Sequence, residues 1–428
     1  MNLVVLKTNN QIIMKKILAM SFVAFSIYGN AQTTTTPAPA EKEWDVNLYG
    51  FIRTDYIFDT RKSAQVREYN LNLYPLDEQL DTNGDDINAA EASNFLSIVS
   101  RLGVKVKGSN VWGAKMTGVL EGDFFGNTES TIGLFRLRHA YANMEWEKTT
   151  LTMGQTWYPT FIPEVFPGVA NFNTGIMFNP FGWASQVRVK QMLSKELSFS
   201  LTAYKEREFT TQTATGGTQN SASTNSALPS FHGQFQYKNK NWIAGLGGEF
   251  KSLQPLIVSN GIASTEKVTS ASLVGYFKYS NDKFCLKGYG ITGENMYNLV
   301  MLGGFAGYTQ PGETEKYEGI KTTAFWFDLA SNGKSIAPGV FFGYTKNGGT
   351  GKDGATAVYM RGLSGTRVID NVWRASARVD FKQNKFRVTP ELEYTAATWG
   401  DLKSDVTADG NENKVGNFRA MISCAYSF

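Results

Sequence analysis

The chain has 428 residues, 42% of them hydrophobic and 13% aromatic, with 42 Lys and Arg against 38 Asp and Glu. No stretch approaches the ~20 consecutive apolar residues of a membrane helix, which excludes a helical membrane protein. Without Lys7, Lys15 and Lys16 the formal charge of +4 falls to about +1, so the basic balance implies no nucleic-acid partner.

Lys15 and Lys16 precede a short apolar run, Ile17 to Ile27, and Gly29-Asn30-Ala31 offers small residues at a cleavage site. Residues 1–31 are expected to be an export signal, with Met14 a possible start. No Cys follows Ala31, so a lipid anchor is not expected. Residues 32–44 read as a Thr/Pro/Ala tether in the periplasm. Residues 45–428 carry no second composition shift and are expected to be one barrel. Cys285 and Cys424 lie far apart in order and are expected to be free thiols.

From the tether onward, residues alternate. In Val46 to Phe58, the apolar Val46, Leu48, Ile52, Tyr56 and Phe58 oppose Asn47, Arg53 and Asp55. In Leu96 to Lys107, Leu102, Val104 and Val106 oppose Arg101, Lys105 and Lys107. The pattern returns in Leu197 to Glu206, in Trp373 to Phe381 and in Phe386 to Tyr394. A period of two is the mark of a strand with one apolar face.

Short links fall near 108–110, 147–148, 194–195, 239–240, 281–282, 332–333 and 383–384. Longer, mostly polar links fall near 59–94, 125–131, 158–181, 209–228, 252–267, 294–317, 347–370 and 398–413. Short and long alternate, which predicts about sixteen strands. The weakest of these are the short fifth strand and the one holding Pro338. Phe418, Ala420, Ile422, Cys424, Tyr426 and Phe428 alternate up to a terminal aromatic, and so resemble the strand read by the outer-membrane assembly machinery. In hydrocarbon every backbone N–H and C=O needs an internal partner, which leaves helices or closed barrels. The expected fold is all-β: a transmembrane antiparallel up-and-down β-barrel in the outer membrane, with short periplasmic turns and long extracellular loops. An interior this rich in charge should hold water, and roughly sixteen strands are wide enough for a channel.

The inward parity is biased toward cations: Arg53, Arg101, Lys105, Lys115, Arg136, Arg138, Arg188, Lys190, Arg374 and Arg378, with Lys278, Lys287, Arg387 and Arg419. Asp55, Glu121, Asp123, Glu206, Glu249, Asp328, Asp380, Glu391 and Glu393 are the acids of that face. Two readings stay open. A cationic ladder biases a pore toward small anions such as carboxylates. Alternatively, the opposite charges pair across strands and brace the wall.

The link 158–181 is unlike the others, since Phe161, Phe166, Phe172 and other apolar residues crowd it beside Glu164. A loop this apolar needs a surface to pack on, and folding inward would constrict the pore. Contact with a neighbouring subunit or with lipopolysaccharide is the alternative. The run Asp81 to Asp86, with Glu91 nearby, has acids at calcium-loop density, but its Gly and final Glu are misplaced. A solvated acidic loop is the expectation there, and no metal or cofactor is expected anywhere.

Several motifs in order resemble the DcaP-like porins: Leu48 to Arg53, Ser100 to Gly103, Leu120 to Gly126, Leu137 to Tyr141, and Gly154 to Trp157. The match is clearest in the first 190 or so residues. The resemblance implies a sixteen-stranded homotrimer that favours small anionic solutes such as dicarboxylates. It also implies that Arg136 and Arg138 are luminal arginines of the fourth strand. The short Pro-rich tether departs from that family's long helical segment. Outward Ala114, Gly118 and Gly122 offer strand three a flat face for another subunit. The Asn30-Ala31-Gln32 junction resembles leaders of Bacteroidetes.

A barrel enzyme is the poorer reading. His139 has outward parity, His232 lies inward beside Gln234, and neither has a Ser nucleophile and an acid in a recognisable motif. A structural or adhesin barrel is the other alternative; it would give the luminal charges no purpose.

Overall fold

Wherever one parity is apolar and the other polar, the chain extends and pairs. The computed structural model describes residues 44–172, 174–212 and 221–428. The export signal and nearly all of the tether lie outside the described residues. The barrel strands, numbered in chain order, begin with β1 Asp45–Asp59 and β2, which is Ala92–Leu96 continued by Arg101–Val111. There follow β3 Ala114–Asp123, β4 Arg136–Glu145, β5 Thr149–Trp157 and β6 Trp183–Met192. Next come β7 Leu197–Glu206, β8 Ser230–Lys238, β9 Trp242–Leu253 and β10 Val268–Ser280. The last six are β11 Phe284–Glu294, β12 Lys321–Ser331, β13 Ile336–Asn347, β14 Arg367–Gln383, β15 Phe386–Asp401 and β16 Asn413–Ser427.

Each strand pairs antiparallel with its neighbour, and β1 pairs with β16 from Phe51↔Ser427 to Asp59↔Arg419, closing a sixteen-strand barrel. Closure leaves the barrel sheet without a free edge strand among the described residues. The outward parity is apolar and open to lipid, with Phe95, Leu120, Leu246 and Leu273 all more than half exposed. Both doubtful strands are present. The strand holding Pro338 pairs along its length with β14, and Pro338 faces outward opposite Val379.

Three expectations need correction. The first short turn is Trp112-Gly113 rather than 108–110: β2 runs on to Val111, and both turn residues take the positive φ of a two-residue hairpin, 50° and 76°. The long links are also less irregular than expected. Ser63–Val66 and Leu71–Pro75 form a hairpin within the first. Gly303–Tyr308, Lys316–Gly319 and Ala357–Arg361 form a separate three-stranded sheet above the barrel, built over Phe305, Tyr317 and Tyr359. Lastly, His139 faces inward. The β3–β4 register shifts between Glu121 and Gly122, so β4 carries one extra residue, and Tyr141 comes opposite the inward Val119. A bulge of this kind reverses parity beyond it.

Candidate functional site

The loop 158–182, between β5 and β6, enters the barrel and crosses its lumen. Tyr158, Phe161, Ile162, Val165, Phe172, Ile176, Met177, Phe178 and Phe181 are buried, most of them within the largest apolar cluster of the molecule. That cluster also takes inward residues of the opposite wall, among them Ile243, Tyr289, Trp326 and Phe341. Water-filled space would leave these rings exposed; packing the loop against the wall removes them from water.

Polar bonds fix the loop at both sides. Tyr289 on β11 donates its hydroxyl to the Thr160 carbonyl at 2.8 Å, and Trp326 on β12 donates Nε1 to Asn179 Oδ1 at 3.1 Å. Arg374 on β14 donates to the Ile176 carbonyl at 2.8 Å, and Arg53 on β1 donates to the Ala170 carbonyl. The Glu391 carboxylate on β15 accepts from the Ala170 N–H at 2.9 Å. The hairpin of the first loop also folds in, with Asn72 Nδ2 donating to Glu393 at 2.9 Å and Trp399 Nε1 to the Pro75 carbonyl at 3.1 Å. Phe166 is the exception. It stays partly exposed at the loop tip, with Lys287 Nζ 5.6 Å from its ring centre. Glu164, also at the tip, pairs with Lys238 of β8.

The luminal cations divide into two sets. The first is sealed. Arg53 pairs with Asp55 at 2.8 Å, Arg378 with Asp328 at 2.9 Å, Arg374 with Glu393 at 3.4 Å and Arg419 with Asp59 at 2.7 Å. Arg136 bridges Asp123 and Glu208, both at 2.7 Å, and Arg138 bridges Glu121 at 2.9 Å and Asp123 at 3.1 Å. Both guanidinium groups lie over the Trp183 ring, at 4.9 and 4.5 Å. Arg101 pairs more loosely with Glu121, at 3.4 Å. Arg136 and Arg138 therefore point inward, as placed on the polar parity, but lie buried beneath the loop and away from open solvent. Glu208, in the loop after β7, has its carboxyl pushed up by burial, against the pull of Arg136 and Arg67.

The second set is reachable. Arg188 and Lys190 on β6, Lys278 on β10, Lys287 on β11, and Lys105 and Lys115 beside the first short turn have no carboxylate within ion-pair distance among the described residues. Arg188 is held by neutral groups, donating to Thr202 Oγ1 at 3.1 Å and to Gln186 Oε1 at 2.8 Å. Lys115 has Glu145 opposite it in register, though beyond ion-pair distance. The acids are mostly withdrawn: Asp55, Asp59, Glu121, Asp123, Glu206, Glu249, Asp328, Glu391 and Glu393 are all buried. Asp380, Glu145 and the loop-tip Glu164 are luminal acids that stay at least partly open to solvent.

Reading parity missed several participants. Lys238 continues the inward series His232, Gln234 and Gln236, so its signal was available. Glu208 and Trp183 gave none, because they meet Arg136 only once the loops fold back. Lys251, a fully buried cation, donates to the Asn295 carbonyl at 2.6 Å and to Asn298 Oδ1 at 2.8 Å, both in a loop counted as polar linker.

The acidic run in the first loop is tied by its own backbone. Asp81 accepts from the N–H groups of Asn83 at 2.8 Å and Asp85 at 3.0 Å. Arg61 donates to Asp86 at 2.6 Å.

Solved structures share this architecture. The outer membrane channel DcaP of Acinetobacter baumannii superposes with a TM-score of 0.66, at 16% identity over 92% of this chain and 100% of that one. OmpT of Vibrio cholerae gives 0.52 at 12% identity, over 91% and 99%. OprB of Pseudomonas putida gives 0.51 at 9% identity, over 90% and 94%. At such identities the likeness is one of fold. No curated protein sequence matches the chain. The profile of the DcaP outer membrane protein family matches residues 12–310, well over half of the sequence, and the chain therefore belongs to that family.

Proposed function

We propose that this protein is a passive diffusion channel of the outer membrane, assembled as a homotrimer, which favours small organic anions, dicarboxylates among them. One observation carries the anion preference: inside the barrel most acids are buried, while Arg188, Lys190, Lys278 and Lys287 keep charges without carboxylate partners. Fixed cations at a constriction raise the local concentration of anions and repel cations. The loop 158–182 supplies the constriction, and Phe166 with Glu164 forms its tip. The outward apolar belt meets outer-membrane lipid and lipopolysaccharide. The trimer rests on the family alone, because the flat face expected on β3 is reduced: Ala114 is buried and Phe135 covers Gly122, leaving Gly118 open.

The test is a planar bilayer under a potassium chloride gradient. The purified protein should conduct in three equal steps with an anion-biased reversal potential. Arg188→Gln combined with Lys190→Gln should cut the chloride-to-potassium permeability ratio by ~2- to 3-fold or more, the effect of removing about one kT of local potential. A reversal potential at zero or biased to cations in the unaltered protein would sink this reading.

A further inference from the structure

On the short-turn side of the loop the barrel keeps a cavity of about 190 Å³, between the loop segment Pro159–Glu164 and the inner faces of β6, β7 and β8. A cavity of this volume suits one small solute. Its chemistry is divided. At one pole stand Arg188 and Lys190, neighbours on the same face of β6. Arg188 spends Nε and Nη2 on Thr202 and Gln186, and its Nη1 has no partner among the described residues. At the other pole the wall carries hydroxyls and amides. Ser200 stands opposite Lys190 in the β6–β7 register, and Gln234 lies across from Ser200 on β8. His232, 2% exposed, lines the same wall, and its Nε2 is buried without a partner. Phe161 and Pro163 form an apolar ceiling.

We propose that this cavity retains hydroxylated monocarboxylates, six-carbon sugar acids being the fitting class. The carboxylate would meet Arg188 and Lys190, and the hydroxyls would meet Ser200, His232 Nε2 and Gln234. A buried polar atom without a partner favours the ligand that supplies one over an analogue that cannot. The Glu164 carboxylate lines the same cavity and pairs through one oxygen with Lys238. Its other oxygen accepts from a hydroxyl and repels a second carboxylate, so a dicarboxylate passes this pocket without being held. The inference rests on the channel reading for its access route, but the binding it describes is measurable apart from conduction.

The experiment is calorimetric titration of the full-length, detergent-purified protein at constant ionic strength with sodium gluconate, sodium succinate and glucose, alongside the bilayer reversal potential. Gluconate should bind ~10-fold or more tightly than either of the others, the size of one well-placed charged hydrogen bond. Arg188→Gln should weaken gluconate binding by ~10- to 100-fold. Glu164→Gln, on the loop tip, should improve succinate and narrow the ratio. Succinate binding as tightly as gluconate, or an Arg188→Gln variant that binds normally, overturns the proposal. A flat gluconate titration with an anion-biased reversal potential overturns the site and leaves the channel standing. Gluconate binding without an anion bias supports the site and overturns the channel's selectivity.

Discussion

At the scale of single residues, the interior of this barrel separates two uses of arginine. Arg136 and Arg138 share Asp123 and lie against Trp183, out of reach of solvent. Without Asp123, Arg136 would keep only Glu208 and Arg138 only Glu121, which leaves an excess of positive charge in a site of low polarity. Asp123→Ala should therefore cost ~3–5 kcal/mol in urea unfolding from lipid vesicles. Arg136→Ala with Arg138→Ala should shift the reversal potential less than the Arg188 and Lys190 changes do. Of the two readings of the inward cations, bracing describes Arg53, Arg136, Arg138, Arg374, Arg378 and Arg419. The ladder reading has its support in Arg188 and Lys190. Parity alone could not sort them, because it reports which way a side chain points and not what covers it.

At the scale of elements, the loops decide what the strands expose. The loop 158–182 was conspicuous in sequence for its aromatic content, and burial of those rings is what holds it in the lumen. The first loop was not conspicuous, because its apolar residues Leu71, Leu73 and Tyr74 are few among polar neighbours. Its outer turn has a pH dependence that can be worked out. The N–H groups of Asp85 and Asn83 hold the Asp81 carboxyl below the usual carboxylate range. Asp86 also lies below it: burial pushes its carboxyl up, but bonds from the Gln79 N–H and Arg61 outweigh that push. For depressed acids the stabilisation is fully present above the unfolded value of ~3.9 and is lost as pH falls through the folded value. Amides of residues 79–88 should then lose hydrogen-exchange protection below pH ~3.9, after correction for intrinsic rates. Protection that persists unchanged to pH ~2 would count against this assignment.

At the scale of the whole molecule, the barrel depends on the seam between its first and last strands. Asp59 and Arg419 pair across it with two bonds of 2.8 and 2.7 Å, and Asn417 adds a bond to Asp59. At the other end the N–H of Phe428 donates to the Gly50 carbonyl at 3.1 Å, and the Phe428 ring lies directly over Gly50. A Cβ on Gly50 would collide with the Arg101 carbonyl oxygen and with that ring. Gly50→Ala should accordingly cost ~1–3 kcal/mol, read as a lower midpoint for conversion of the folded to the unfolded form on heating in detergent. A midpoint equal to that of the unaltered protein would show that the seam relaxes around the added methyl.

The strand count, the alternation of short and long links and the choice of lipid-facing side were legible in the sequence. Each depends on a period of two that a strand displays locally, whatever it pairs with. The bulge that turns His139 inward was not legible, because one inserted residue changes no side chain's identity and shows only in the pairing of β3 with β4. Nor was the difference between a sealed arginine and a free one. That depends on a loop returning through the barrel to lie over residues distant in the chain, and only the tertiary structure decides which charges it covers and which it leaves to the lumen.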